Sequence, residues 1–172
     1  NYINLAAQYL SPYIDGHCPV PLGISAADET YIIVDNKWTY TWFVIDSKTR
    51  AICGYNLSDN RGMQPALALL YDTFGEPSDK IKHPDLITDG NPSYDAAIMA
   101  YNDLINKNNS KLIKRTVIGL KNLDDQSKEY RSFKQLVERL NRTYKYHTRP
   151  RAGFKSFDGA VALTTLFVAF YN

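Results

Sequence analysis

The stretch AADETYIIVDNKWTYTWFVIDS, residues 26–47, decides the fold. It holds two runs rich in β-branched and aromatic residues, 26–34 and 37–47, which are typical of β-strands. Asp35 and Asn36 stand between the two runs, and both residue types favour a tight two-residue turn. The pattern therefore predicts a β-hairpin.

Downstream of the hairpin, strand and helix patterns alternate. The run AICGYNL at 51–57 predicts a third strand, and the segment 63–75 has apolar residues at helical spacing and stops at Gly75. The segment PDLITDGNPSY at 84–94 predicts a short strand, a loop and the start of a helix that Asn91 caps. That helix should continue to about residue 106.

The rest of the chain completes an α/β pattern. Residues 114–120 predict another strand, a long helix follows the polar loop at 121–129, and an apolar helix spans about 157–170. We therefore predict a mixed five-stranded sheet, a three-stranded antiparallel meander plus two parallel strands, with helices on both faces. This core should be one domain, residues 25–172. Residues 1–24, with three prolines and one short amphipathic stretch, are interpreted as an arm or linker from a missing upstream domain.

The composition is that of an ordinary globular protein, with 44% hydrophobic and 22% charged residues. The most apolar segment, residues 160–171, is too short to span a bilayer, so we expect no membrane partner. Two cysteines, Cys18 and Cys53, are too few for a disulfide scaffold and suit a reducing cytoplasm. Nothing in the sequence suggests a small organic cofactor.

The charge of the chain is divided along its length. Residues 1–106 hold 6 basic and 13 acidic side chains, whereas residues 107–155 hold 14 basic and 4 acidic ones. A basic segment of this kind predicts a surface for a polyanion such as nucleic acid. A solvated basic face without a ligand is the alternative interpretation.

Three acidic residues occupy positions where chemistry is expected. Asp28 lies near the start of the first strand, and Asp89 follows a strand at the point where an α/β sheet commonly binds ligands. Side chains alternate along a strand, so Asp28 and its neighbour Glu29 should point to opposite faces, and only one of them should serve a given site. Glu138 lies in the long helix.

The long helix carries Glu138 among cations. At 100° per residue its apolar stripe should be opposed by a polar face that is made of Lys134, Glu138, Asn141, Arg142 and Lys145. Charge matching on a solvated helix is one explanation of this face. The other is that Glu138 joins Asp28 and Asp89 in binding divalent metal ions while the cations bind phosphates.

Three motifs favour the second explanation. DETY at 28, TDGNPSYDAAI at 88–98 and VERLNRTYKYHTRPRAGFKSF at 137–157 together resemble the DDE transposases of bacterial insertion sequences, over about residues 25–172. The resemblance implies a ribonuclease H-like, integrase-type core in which Asp28, Asp89 and Glu138 are catalytic and bind two Mg²⁺ or Mn²⁺ ions. It also implies that Asn141 and Lys145 contact the DNA end near the scissile phosphate.

The same resemblance implies the partners and the reaction. The partners would be transposon ends and target DNA in the bacterial cytoplasm, bound by a homo-oligomer, and the reaction would be 3′-end nicking followed by strand transfer. The nucleic-acid-binding residues would be Lys134, Asn141, Arg142, Lys145, Arg149, Arg151 and Lys155.

Several alternatives stay open. Forty-eight residues separate Asp89 from Glu138, more than in the commonest members of the group, and Glu129 is a competing third ligand that lacks the Asn and Lys three and seven positions later. The chain could instead be an inactive DNA-binding or assembly domain of a decayed transposase, or a stand-alone ribonuclease H-like nuclease. Trp38 and Trp42 share one face of a strand, which favours hairpin or core packing over base stacking.

Overall fold

A mixed five-stranded sheet forms the centre of the computed structural model, which describes residues 2–75, 84–104, 111–117, 125–149 and 152–172. The strands are β1 (Ser25–Val34), β2 (Lys37–Asp46), β3 (Ile52–Ser58), β4 (Asp85–Thr88) and β5 (Ile113–Thr116). The helices are α1 (Tyr2–His17), α2 (Met63–Phe74), α3 (Pro92–Leu104), α4 (Asp125–Thr148) and α5 (Phe157–Tyr171). The strand order is β3-β2-β1-β4-β5, so the predicted α/β architecture is confirmed.

The hairpin forms as the sequence predicts. β1 and β2 pair antiparallel along their whole length, from Ser25 opposite Asp46 to Val34 opposite Lys37. Asp35 and Asn36 make the turn with φ values of 48° and 58°. Left-handed backbone at both turn positions is what a two-residue hairpin requires, and Asp and Asn tolerate it better than most residues.

β1 is central in the sheet, yet one of its edges is largely open. β4 pairs with β1 in parallel only at Ser25 and Ala26, although β4 pairs with β5 along four residues. Further along the same edge, Phe154 forms an isolated bridge with Val34. The stretch of β1 between these two contacts faces no strand among the described residues, and it contains Asp28 and Glu29.

Helices cover both faces of the sheet, as predicted. On one face, α4 and α5 pack against β1 and β2 in a core that includes Ala26, Phe43, Val137, Leu140 and Phe167. On the other face, α2 and α3 pack in a core that includes Ala27, Trp42, Leu69 and Ala97. Even-numbered residues of β1 therefore face α4, and odd-numbered ones face α2 and α3.

The helix termini also match the sequence. Asn91 caps α3, because its Oδ1 accepts a hydrogen bond from the Ser93 N–H at 3.0 Å. Gly75 ends α2 with a φ of 61°, and its N–H donates to the Tyr71 carbonyl at 2.8 Å. The Asn91 cap lies in the loop that carries Asp89, and its backbone N–H donates to Asp89 Oδ1.

The described part of the N-terminal segment is mostly the helix α1, which packs beside α5. Whether residues 1–24 connect the core to a further domain stays a prediction. None of the described helices is both long and apolar enough to cross a membrane.

Candidate active site

Three carboxylates meet at the open edge of β1. One oxygen each of Asp28, Glu29 and Asp89 lies within 4.8 Å of the other two. β4 and β1 run parallel with Leu86 beside Ser25 and Ile87 beside Ala26. Continuing that register brings Asp89 level with Asp28, because both strands advance by the same distance per residue.

Alternation along β1 does not keep the carboxylates of Asp28 and Glu29 apart, and whether one or both serve the site stays a prediction. The two side chains do leave β1 toward opposite faces, since Asp28 contacts α4 and Glu29 contacts Arg61 and Asn91 on the other side. With no strand beside this part of β1, both carboxylates reach the same edge. Alternation along a strand separates side chains only where a neighbouring strand fills the space between the two faces.

Helix α4 holds Asp28 from one side. The Nζ of Lys134 lies 3.0 Å from Asp28 Oδ1, and the Nδ2 of Asn141 donates to Asp28 Oδ2 at 3.0 Å. Lys134 is 5% exposed and Asn141 is 9% exposed. These members of the expected polar face are therefore turned into the protein toward β1 rather than toward solvent.

The start of α2 and the loop after β4 hold the other two carboxylates. Arg61, just before α2, forms an ion pair with Glu29, and its guanidinium lies 3.6 Å from Asp89 Oδ2. Asn91 donates from Nδ2 to Glu29 at 3.2 Å and from its backbone N–H to Asp89 Oδ1 at 2.9 Å. Arg61 and Glu29 were not among the predicted site residues, and the only sequence signal for Glu29 is its place beside Asp28.

Burial and mutual repulsion raise two of the carboxyl pKa values. The pKa of Asp28 is raised, mainly by desolvation and further by the charge of Asp89, although Lys134 acts in the opposite direction. The pKa of Glu29 is raised by desolvation first, then by Asp89 and Asp28, against the opposing charge of Arg61. The cluster sets three carboxylates against two cations, the buried Lys134 and the half-exposed Arg61.

Glu138 opens onto the same region from α4. It lines a cavity of about 570 Å³ together with Asp28, Glu29 and Asn141. It is half-buried, and it is not a member of the group of three oxygens within 4.8 Å that the described residues contain. The structure thus brings Glu138 to the cavity beside Asp28, while Glu29 takes a place in the tight cluster.

The predicted nucleic-acid-binding residues are distributed around this cavity. Asn141, Arg142, Lys145 and Arg149 line it, and the buried Lys134 lies against Asp28. Lys155 is exposed and Arg151 lies outside the described residues. Their contacts with nucleic acid stay predictions. The competing ligand Glu129 is exposed near the start of α4.

The donor set suits a hard divalent cation. Carboxylate oxygens are the ligands that Mg²⁺ and Mn²⁺ prefer, and three of them converge here. Beside them, Asn141 Oδ1 is buried and accepts no hydrogen bond from the described residues. The cluster therefore retains both uncompensated charge and an unused oxygen acceptor, and the residues fit a metal site.

Most of the chain matches one known protein family. A family model described as a DDE domain matches residues 25–170. The comparison with curated proteins gave no match.

Among solved structures, the chain is similar to a simian T-cell lymphotropic virus intasome in complex with the PP2A regulatory subunit B56 gamma. The TM-score is 0.51 at 18% identity, over 85% of this chain and 48% of that chain. This likeness concerns the fold, and the chain spans about half the length of the intasome chain. Two forms of the HTLV-2 integrase catalytic core domain in complex with magnesium also match. The dimeric form is 13% identical, and the match covers 73% of this chain and 68% of the integrase chain. The trimeric form is 10% identical, and the match covers 86% of this chain and 84% of the integrase chain. The TM-score is 0.48 in both comparisons.

Proposed function

Because the chain belongs to the DDE-domain family of insertion-sequence transposases, we propose that it is the catalytic core of a metal-dependent polynucleotidyl transferase. It would nick transposon ends to free 3′ hydroxyls and join them to target DNA. The observation that carries the proposal is the meeting of Asp28, on β1, and Asp89, just after β4, at one sheet edge beside a cavity that Asp28 and Glu138 both line.

In this proposal Asp28, Asp89 and Glu138 bind two Mg²⁺ or Mn²⁺ ions. When bound, such ions supply activation of the attacking hydroxyl and stabilisation of the leaving oxygen at phosphorus. The resemblance of the motifs supports Glu138 as the third ligand, and the position of Glu29 in the tight cluster makes it a competitor.

The neighbouring polar residues orient the carboxylates. Lys134 and Asn141 each bind one oxygen of Asp28, which fixes the plane of that carboxylate. Asn91 joins Glu29 to Asp89 through its side chain and its backbone. Preorganised groups of this kind keep a site in its reactive geometry without rearrangement during the reaction.

The cations on the cavity wall would bind the DNA backbone. Arg142 and Arg149 are exposed and Lys145 is half-buried, and all three line the cavity that Asp28 and Glu138 also line. Phosphates on either side of the scissile bond would then be neutralised by these side chains. Such contacts position the strand and carry no sequence preference.

Strand nicking and strand joining on DNA with defined ends test the proposal. We expect Asp28→Asn, Asp89→Asn and Glu138→Gln to abolish both steps with Mg²⁺ or Mn²⁺ while DNA binding is retained. Glu129→Gln is the matched control, because Glu129 is exposed on the same helix, and it should keep activity. Activity in the Asp28, Asp89 and Glu138 variants would refute the proposal. Loss of activity in Glu29→Gln together with activity in Glu138→Gln would make Glu29 the third metal ligand in place of Glu138.

A second candidate is a DNA-binding domain without catalysis. The observation in its favour is that Lys134 and Arg61 already pair with Asp28 and Glu29, so that cations of the protein partly replace metal ions. Calorimetric titration with Mn²⁺ separates the candidates. Metal uptake that Asp89→Asn removes supports the enzyme, and absence of uptake supports the binding domain.

The finer parts of the proposal need separate assays. A strand-transfer product distinguishes a transposase from a stand-alone nuclease of the same fold, which would cut and release its substrate. Sedimentation of the protein with and without paired DNA ends tests the expected homo-oligomer.

A further inference from the structure

Two exposed aromatic side chains lie next to the candidate active site. Tyr31 of β1 is 51% exposed and Trp38 of β2 is 57% exposed. Their ring centroids are 4.5 Å apart and their planes meet at 87°, an edge-to-face pair. Trp42, four residues from Trp38, is fully buried in the core, and Trp38 packs across the hairpin against Tyr31, so both tryptophans show the expected core or hairpin packing.

The pair lines a second cavity, beside the one that the carboxylates line. A cavity of about 220 Å³ is lined by Tyr31 and Trp38, by Gly153 and Phe154, and by Lys145 and Arg149. The segment with Gly153 and Phe154 is held against the end of β1, where the Phe154 N–H donates to the Ile33 carbonyl at 2.7 Å. The pocket is therefore supported on one side by backbone hydrogen bonds rather than by side chains alone.

Lys145 connects this pocket with the carboxylate cavity. It lines both, and its Nζ lies 4.1 Å from the centroid of the Tyr31 ring. Ile32 packs in the core with α4, so its neighbour Tyr31 points to the other face of the sheet. Lys145 thus extends from α4 around the open edge of β1 to reach Tyr31, and Arg149 also lines both cavities.

The chemistry of this pocket fits one kind of ligand. Exposed aromatic rings beside cations are the combination that proteins use for unpaired nucleotides: the base stacks on a ring and the phosphate pairs with the cation. Because Lys145 lies over one face of Tyr31, Trp38 is the ring that offers stacking surface, and Tyr31 supports it edge-to-face. The phosphate would lie near Lys145, between the pocket and the carboxylates.

We infer that the Tyr31–Trp38 pair is a stacking site for an unpaired base of DNA, next to the nucleotide whose phosphate enters the carboxylate cavity. The inference rests on the proposed function for the identity of the strand. It adds a binding site that needs no metal ion, so it is tested by binding alone. The base is held by its flat surface, so the site accepts any of the four bases.

Binding of a single-stranded probe to the full chain in a metal chelator tests the site. The probe is oligo-dT of about ten nucleotides, within the usual range of single-strand sites, and its partner is an abasic oligomer with the same number of phosphates. We expect oligo-dT to quench the fluorescence of Trp38, the exposed one of the two tryptophans, and the abasic oligomer to bind more weakly without quenching.

Substitutions distinguish the contribution of base stacking to oligo-dT binding from the contribution of charge. Trp38→Ala should weaken oligo-dT binding about 5- to 150-fold, the equivalent of the usual contribution of one stacked base, and leave the salt dependence unchanged. Trp38→Phe should retain most of the affinity, because it keeps an aromatic face. Lys145→Met should instead lower the slope of log affinity against log salt by about 0.7. Melting temperatures near that of the original chain confirm that the variants fold.

The stacking site and the proposed enzymatic function can fail independently of each other. Equal affinity for oligo-dT and the abasic oligomer, or unchanged binding in Trp38→Ala, would overturn the stacking site even if strand nicking is present. Base-dependent binding without any nicking in Mg²⁺ would leave the stacking site in place and remove the proposed enzyme.

Discussion

Gly153 fixes the segment that closes the aromatic pocket. Its φ is 102°, and a Cβ at this position would lie 3.2 Å from the carbonyl oxygen of Ile33. The adjacent Phe154 exchanges two backbone hydrogen bonds of 2.7 Å with Ile33 and Asp35. A side chain at 153 would therefore face both an unfavourable backbone conformation and a backbone atom.

We expect Gly153→Ala to lower the free energy of unfolding by about 1–2 kcal/mol, since alanine is strained at positive φ. Urea denaturation measures the loss. Gly23→Ala is the matched control, because a methyl group at Gly23 would have no neighbouring atom within 4 Å and the backbone there has no positive φ. An equal change in the free energy of unfolding of both variants would mean that a side chain at residue 153 causes no backbone strain.

Lys134 compensates Asp28 where water is largely excluded. Its side chain is 7% exposed and that of Asp28 is 15% exposed. We expect Lys134→Met to destabilise the metal-free protein by about 2–3 kcal/mol, somewhat less than for a fully buried pair, because it leaves the Asp28 charge without its closest cation. Chemical denaturation in a chelator measures this loss.

The control for Lys134 is on the same helix. Lys128 pairs with Asp125 at 2.8 Å, but both side chains are mostly in solvent. Lys128→Met should give no measurable change, as is usual for exposed pairs. A similar small effect in Lys134→Met would mean that the Asp28 carboxylate is compensated by other groups.

At the scale of whole elements, Tyr144 joins α4 to a strand and to a second helix. Its hydroxyl accepts from Thr41 Oγ1 of β2 at 3.3 Å and lies 2.8 Å from Thr164 Oγ1 of α5, and Thr164 itself donates to the Ala160 carbonyl. The ring is fully buried and packs edge-on against Phe43 and Phe167. Tyr144 therefore holds α4, and with it Glu138 and Asn141, in place against the sheet.

We expect Tyr144→Phe to lower the free energy of unfolding by about 1–2 kcal/mol, because it removes two buried hydrogen bonds and keeps the packing. The comparison is with Tyr146→Phe, two residues further on the same helix, where the ring is 76% exposed. Thermal denaturation should show a lower melting temperature for the first variant only. Equal melting temperatures would mean that the hydroxyl of Tyr144 adds nothing to helix docking.

Local patterns in the sequence predict the elements, but they do not predict that Glu29 joins Asp28 and Asp89 in the carboxylate cluster. The hairpin, the cap at Asn91 and the stop at Gly75 are local signals, each decided within a few residues, and all three are present. The inclusion of Glu29 depends on β4 pairing with only two residues of β1, which is a long-range fact that no local pattern contains. The burial of Lys134 likewise depends on how α4 packs against the sheet, because a helical wheel shows on which side of the helix a residue lies but not how deeply it is buried.

At the scale of the whole molecule, the fold brings the two differently charged parts of the chain together. The acidic part supplies Asp28, Glu29 and Asp89, and the basic part supplies Lys134 and the cations of the cavity. Negative charge is thus concentrated at the sheet edge, with positive charge around it on α4. The basic side chains around the cavity would attract a phosphate backbone, and in the proposed function a divalent cation would supply positive charge at the carboxylates.

If the carboxylate cluster binds a divalent ion, as proposed, the free energy of unfolding should depend on metal and on pH. Because the folded state raises the pKa values of Asp28 and Glu29, it binds protons more strongly there than the unfolded chain does. The contribution of these groups is therefore most favourable at low pH and is lost as the pH rises above about 4 and they ionise. A bound divalent ion removes this penalty, so its stabilising effect should increase with pH until both carboxyl groups are ionised.

Saturating Mn²⁺ should raise the melting temperature at pH 8 more than at pH 5. At a metal concentration of 100 times the dissociation constant the gain is about 2.7 kcal/mol, or roughly 5–10 °C for a chain of this size. Asp89→Asn should remove the shift, whereas Asp35→Asn, an equivalent change at the exposed hairpin turn, should retain it. The same shift in both variants would place the bound metal elsewhere, and no shift in the unmodified protein would mean that Lys134 and Arg61 are all the positive charge the cluster requires.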